Sequence, residues 1–210
     1  MVILAIFQTV GKAMYLKLSL ALTGLLFWVS CGSSESAGAG EEKKAGSSAG
    51  EVLAEQKAIA EYYKISYKGQ YVANKKTGKI EQLLLMNAPL TDLGADRISR
   101  LTDLTTLNLV DTQISDEGLK HIGNLPNLRK LELGRNKNIT DAGVQHLMGL
   151  KKLEKLNVSY TRVADSGLMK LGELPSLNYL DLRRSRVTPA GRDKFEKTPL
   201  GRKRGFRLMY

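Results

Sequence analysis

The block Leu-x-x-Leu-x-Leu returns along this chain at a fixed spacing, opening at Ile80, Leu104, Leu128, Leu153 and Leu177 with steps of 24, 24, 25 and 24 residues. A unit this short cannot close a core alone, so each must bury its apolar face against its neighbours. The expected fold is therefore an α/β solenoid of about five units, which offers an extended surface in place of a pocket. Within a unit the strand alternation sends Leu107 and Leu109 inward and Thr106, Asn108 and Val110 outward. Stacked strands then form a short parallel sheet on the concave face, with helices on the convex face.

The columns beyond the strand say how each unit closes. A small or polar residue stands at the turn (Ala88, Thr112, Asn136, Thr161, Ser185), where its side chain can satisfy buried backbone groups, and an aliphatic residue follows. The third unit has one extra residue in Asn136-Lys137-Asn138, so its turn must bulge. Thr91, Ser115, Thr140 and Thr188 then share one position, followed by Asp92, Asp116 and Asp141 in the first three units, which reads as a capped helix start with a carboxylate in its first turn. Pro189 suits a first helical position, and Ala164 leaves the fourth cap weakest. All units carry glycine next (Gly94, Gly118, Gly143, Gly167, Gly191), at a cost of roughly 1 kcal/mol each inside a helix. The expected reason is close approach of neighbouring helix backbones.

The pattern Ile-Ser-Asp-x-Gly-Leu or Ile-Thr-Asp-x-Gly-Val resembles the Asp-x-Gly-Leu subtype of leucine-rich repeat proteins, similar to the cysteine-containing and ribonuclease-inhibitor-like classes. The resemblance covers about residues 80–200. It implies a curved leucine-rich repeat solenoid that holds a protein partner on its concave sheet.

Both ends of an open array need covering. Residues 51–79 are expected to form the N-terminal cap, a helix with Val52, Leu53, Ile59, Tyr62 and Tyr63 at helical spacing, then a hairpin around residues 74–78. Gly201-Arg202-Lys203-Arg204-Gly205-Phe206 lacks the leucines, so the array is expected to stop at five, with residues 201–210 a basic C-terminal cap or tail.

Ahead of the cap lies an address. Leu18 to Val29 is an apolar run of twelve behind Lys17, too short to span a bilayer and laid out as an export signal over residues 1–30; Met14 opens a more ordinary signal than Met1 does. The segment Trp28-Val29-Ser30-Cys31 resembles the lipobox of bacterial lipoproteins, with Trp28 where such signals usually carry leucine. That resemblance implies lipidation of Cys31 as the mature N-terminus, hence a membrane contact through lipid. Gly32, in place of the aspartate that resembles an inner-membrane retention signal, tilts the location toward the outer membrane. The alternatives are an ordinary signal peptide with an incidental cysteine, or an uncleaved anchor formed with Val2 to Val10. Residues 31–50 complete a flexible linker of Gly, Ser, Ala, Glu and Lys.

The net charge of +11 is local: residues 183–210 hold ten Lys or Arg against Asp193 and Glu196. An exported chain rarely meets nucleic acid, so none is expected as a partner. No nucleophile motif, phosphate loop or cluster of His, Cys and carboxylates points to an enzyme or to a cofactor. The expected activity is binding of a protein partner by a monomer through outward strand positions: Asn108, Asp111, Glu132, Arg135, Asn157, Tyr160, Tyr179, Asp181, Arg183 and Arg184. Tyr160, Tyr179, Arg183 and Arg184 stand out, because Tyr and Arg supply large contact areas with hydrogen bonds. A second column, Arg97, His121, His146, Lys170 and Lys194, sets a basic ladder on the helical side, either a solvated face or, in the alternative reading as an envelope-associating structural protein, a contact for anionic lipid or wall polymer shared with the basic C-terminal tail. Two imidazoles without a carboxylate or cysteine in their column do not suggest a metal site.

Overall fold

The computed structural model describes residues 48–210; the expected export signal, Met14, Cys31 and nearly all of the expected linker lie outside the described residues. The first element is α1 (Ala49–Tyr67), which starts two residues before the expected boundary because Ser48 and Glu51 form a reciprocal capping box. Its buried face is Gln56, Ala60 and Tyr63 with Ile59 packed against the core and Leu53 half-buried, whereas Val52 and Tyr62, also expected on the covering surface, are exposed. The Tyr63 hydroxyl donates to the Gly94 carbonyl at 2.6 Å and joins the cap to the first repeat.

β1 (Gln70–Ala73) and β2 (Ile80–Leu84) form the hairpin, and β2 is also the first repeat strand. The repeats follow as α2 (Asp92–Ser99), β3 (Thr106–Asn108), α3 (Asp116–Ile122), β4 (Lys130–Glu132), α4 (Asp141–His146), β5 (Lys155–Asn157), α5 (Asp165–Leu171), β6 (Tyr179–Asp181) and α6 (Pro189–Glu196). The strands lie side by side in chain order, parallel from β2 onward, with Leu83, Leu107, Leu131, Leu156 and Leu180 in register and fully buried. This in-register column is the sequence period converted into a core. At the bulged turn Asn136 is buried and satisfied, donating to the carbonyls of Leu109 and Leu133 at 2.8 Å and accepting from the Thr112 amide at 3.0 Å.

The sheet does not stop at five repeat strands. β7 (Arg207–Met209) pairs in parallel with β6, Leu208 in register with Leu180, and Phe206 packs on Phe195 at 5.8 Å between ring centres. Arg207 lies 28 residues beyond Tyr179 in place of the usual 24, and one leucine and one phenylalanine suffice to continue the core where the leucine block is missing.

The seams between helix starts correct a second expectation. Each column aspartate reaches forward to the next unit: Asp92 accepts from the Ser115 amide at 2.8 Å and hydroxyl at 2.6 Å, Asp116 does the same for Thr140, and Asp165 for Thr188. Asp141 takes the Ala164 amide at 2.7 Å and, since Ala164 has no hydroxyl, the Ser166 hydroxyl. Ser115, Thr140 and Thr188 then accept from their own helices, whereas Ala164 cannot. Thr91 also makes no side-chain cap; it opens the array, with no upstream aspartate to orient its hydroxyl.

The glycine column follows from the same carboxylates. A Cβ on Gly118, Gly143, Gly167 or Gly191 would fall inside contact distance of Oδ1 of Asp92, Asp116, Asp141 or Asp165. The obstacle is thus a bonded carboxylate and not a helix backbone. Close backbone approach occurs one turn later, where a Cβ on Gly123 would run into the His146 carbonyl.

Candidate functional site

The helices cover one side of the sheet, and the outward strand positions make up the open face on the other. Among the predicted binding residues, Asn108, Asn157 and Asp181 share one column and one local task. Their side-chain oxygens accept from the amides of Val110 (3.0 Å), Ser159 (2.9 Å) and Arg183 (3.1 Å), which turns the chain out of the strand. Glu132, in the same column, instead pairs with Lys130 at 3.1 Å.

Asp181 corrects the prediction most clearly. It is 2% exposed, set beside the added strand β7, and Arg183 clasps it with Nε at 3.0 Å and Nη2 at 2.7 Å. Such a buried, doubly bonded carboxylate orients Arg183 and is not itself presented to a partner. The pair holds the Arg183 guanidinium more firmly charged than usual, first through the hydrogen bonds that it donates to Asp181.

Two positions beyond the last inward aliphatic residue of the strand block, the backbone adopts the left-handed conformation in every unit: Asn87, Asp111, Arg135, Tyr160 and Arg184 have φ between 56° and 66°. The first four donate their amides to the neighbouring unit's carbonyl at 2.8–2.9 Å, so the ladder continues through the bend. Left-handed geometry costs a residue with a Cβ roughly 1–2 kcal/mol, least for Asn and Asp. Here inter-unit bonding holds it in the first four units, and Arg184 repeats the geometry in the fifth. Asn87 and Asp111 were the available sequence signal for this column, since these residue types favour that conformation.

The bends bring the predicted centre together. Tyr160, 48% exposed, lies with its ring 5.5 Å from the Arg135 guanidinium. Tyr160, Arg183 and Arg184 line a cleft of about 310 Å³ together with Tyr210, which the sequence did not single out. Tyr210 in turn sits under the Arg192 guanidinium at 4.3 Å. Tyr179 is half-buried on β6 and outside the cleft lining, and Asn108 and Asp111 lie at the other end of the face.

With the strand register, the seams and the turn column in view, the family comparison is decisive for the repeats: residues 102–163 and 126–187 match the leucine rich repeat model. The array is a leucine-rich repeat domain. An internalin (inlF) from Listeria monocytogenes shares its fold, with 22% identity over 66% of this chain and 38% of that chain and a TM-score of 0.51. A second Listeria monocytogenes internalin (inlC2) is 21% identical over 67% of this chain and 70% of that one, with a TM-score of 0.42. This chain therefore spans well under half of the first relative. No curated protein matches the sequence.

On the helical side of the leucine-rich repeat domain, Arg97, His121, His146, Lys170 and Lys194 do fall in the last turns of successive helices, where a cation complements the helix dipole. His121 lies 3.5 Å from Asp96, Lys170 pairs with Glu173 at 2.7 Å, and Arg97 stacks over Tyr62 at 5.0 Å. These neighbours already engage part of the ladder.

Proposed function

We propose that this protein is a non-catalytic scaffold that holds a protein partner on the open sheet face of its leucine-rich repeats, tethered to the bacterial cell envelope through lipid on Cys31. The observation that carries the binding reading is the cleft formed by Tyr160, Arg183, Arg184 and Tyr210, which adds aromatic and guanidinium surface to an otherwise shallow face. Strands about 4.8 Å apart give a seven-stranded face on the order of 30 Å wide. A partner burying the usual 800 Å² or so would need much of that width. The envelope tether rests on the lipobox-like Trp28-Val29-Ser30-Cys31 and the polar linker behind it.

Crosslinking in the native cell, followed by pull-down with the full chain, tests the face. Tyr160→Ala with Tyr179→Ala should abolish recovery of the crosslinked partner; unchanged recovery would sink the reading. Cys31→Ser should move the protein to the soluble fraction, and retention in membranes would overturn the lipid tether. The rival role, attachment of the basic ladder and C-terminal tail to anionic lipid or polymer, is less favoured because His121, Lys170 and Arg97 are already engaged and residues 207–209 of the tail are built into the sheet. It predicts the reverse: loss of binding in moderate salt and indifference to the tyrosines.

A further inference from the structure

We infer that the partner presents an acidic segment, whose carboxylates meet Arg135 and Arg184 while a neighbouring side chain enters the cleft between Tyr160 and Tyr210. This rests on the open face being the binding surface and adds the chemistry of what is bound there.

Cations outnumber carboxylates on one half of the face. From β4 to β7 the outward and turn positions carry Lys130, Arg135, Lys155, Arg183, Arg184 and Arg207, against Glu132 and Asp181. Both carboxylates are occupied, Glu132 by Lys130 and Asp181 by Arg183. Among the described residues, Arg135, Lys155, Arg184 and Arg207 have no carboxylate partner, so four cations on one half of one face await a counter-charge. The other half has Asp111 as its one charged side chain, among Gln82, Thr106 and Asn108, and exposes the apolar Val72 and Met86. The complement of such a face is an acidic chain with an apolar flank.

These side chains are also preorganised. The left-handed bends fix the backbones that carry Arg135, Tyr160 and Arg184, and the Arg135 stack on Tyr160 restricts both side chains. Asp181 already binds two donors of Arg183, which leaves Arg184 as the guanidinium with its whole fork available for a bidentate carboxylate. A cleft of about 310 Å³ between two tyrosines takes one large side chain, a demand that a lipid headgroup or a bare polyanion does not meet.

The test uses the full chain and three probes: a short fluorescent peptide of Glu and Tyr, its Gln and Tyr analogue, and phosphatidylglycerol vesicles. Anisotropy at low salt should show the Glu peptide binding about tenfold or more tighter than the Gln peptide. Arg135→Glu with Arg184→Glu should weaken the Glu peptide by about tenfold or more, the equivalent of roughly 1.4 kcal/mol. Lys170→Glu with Lys194→Glu on the helical side should change it less than about twofold. Both pairs are solvent-facing, and unchanged circular dichroism keeps a folding defect from imitating the result. Equal binding of the two peptides, equal loss from the helical-side pair, or displacement of the peptide by vesicles would each overturn the inference. If the native crosslink still depends on Tyr160 and Tyr179 while the Glu peptide is ignored, the acidic chemistry falls and the open-face reading stands. If the crosslink is indifferent to the tyrosines, the open-face reading falls, whatever the peptide does.

Discussion

The helix seams and the open sheet face are cut from the same 24-residue unit, yet they treat its repetition in opposite ways. At the seams, Asp92, Asp116, Asp141 and Asp165 bond forward to the next unit, and each is matched by a glycine that makes room for it. On the face, Asn87, Asp111, Arg135, Tyr160 and Arg184 share one backbone geometry but not one chemistry. The difference has a physical origin. At a seam the side chain makes the junction, so its type is pinned; at the bend the backbone makes the junction, and the side chain is released to meet something else.

Four substitutions would break or sharpen that contrast. The largest effect belongs to Gly123→Ala, where the added methyl meets the His146 carbonyl and the backbone itself must move. A loss of about 3 kcal/mol or more is expected in urea unfolding. Asp116→Ala leaves the Thr140 amide and hydroxyl without their carboxylate and should cost about 2 kcal/mol by the same measurement. A cost near zero would show that the seam's regularity is not energetic.

A smaller effect is expected with pH. The Thr188 hydroxyl and then its amide hold the Asp165 carboxyl below its ordinary value of 3.8. A carboxyl depressed in the fold stabilises fully above its ordinary value and loses that contribution as pH falls through the lower folded value. The unfolding midpoints of the native chain and Asp165→Asn should therefore converge on acidification, and parallel profiles would refute the linkage. The smallest effect should come from Tyr160→Ala, with stability changed by about 0.5 kcal/mol or less while partner binding is lost. A large destabilisation there would erase the distinction between seam and face.

The period, the inward leucines and the turn residues were legible in the sequence because each answers to a local rule that recurs several times. The roles of the aspartates and glycines were not. A hydroxyl followed by Asp reads as a cap within one helix, and only stacking reveals that the carboxylate serves the next unit. The same holds at the C-terminal end, where Phe206 and Leu208 look like isolated apolar residues in a basic stretch until β6 supplies their register. In the candidate site, Tyr160, Arg183 and Arg184 were visible as outward residues, but the burial of Asp181 and the arrival of Tyr210 depend on that added strand.

The forward-bonded aspartate also bears on how such a chain can change length. Because its partner lies 23–25 residues on in every unit, a duplicated unit inserted between Asp116 and Asp141 would find a matching donor on one side and a matching acceptor on the other. The interior could grow or shrink by whole units with its joints intact, while the pattern of charges on the sheet, and hence the choice of partner, would be rewritten at each step.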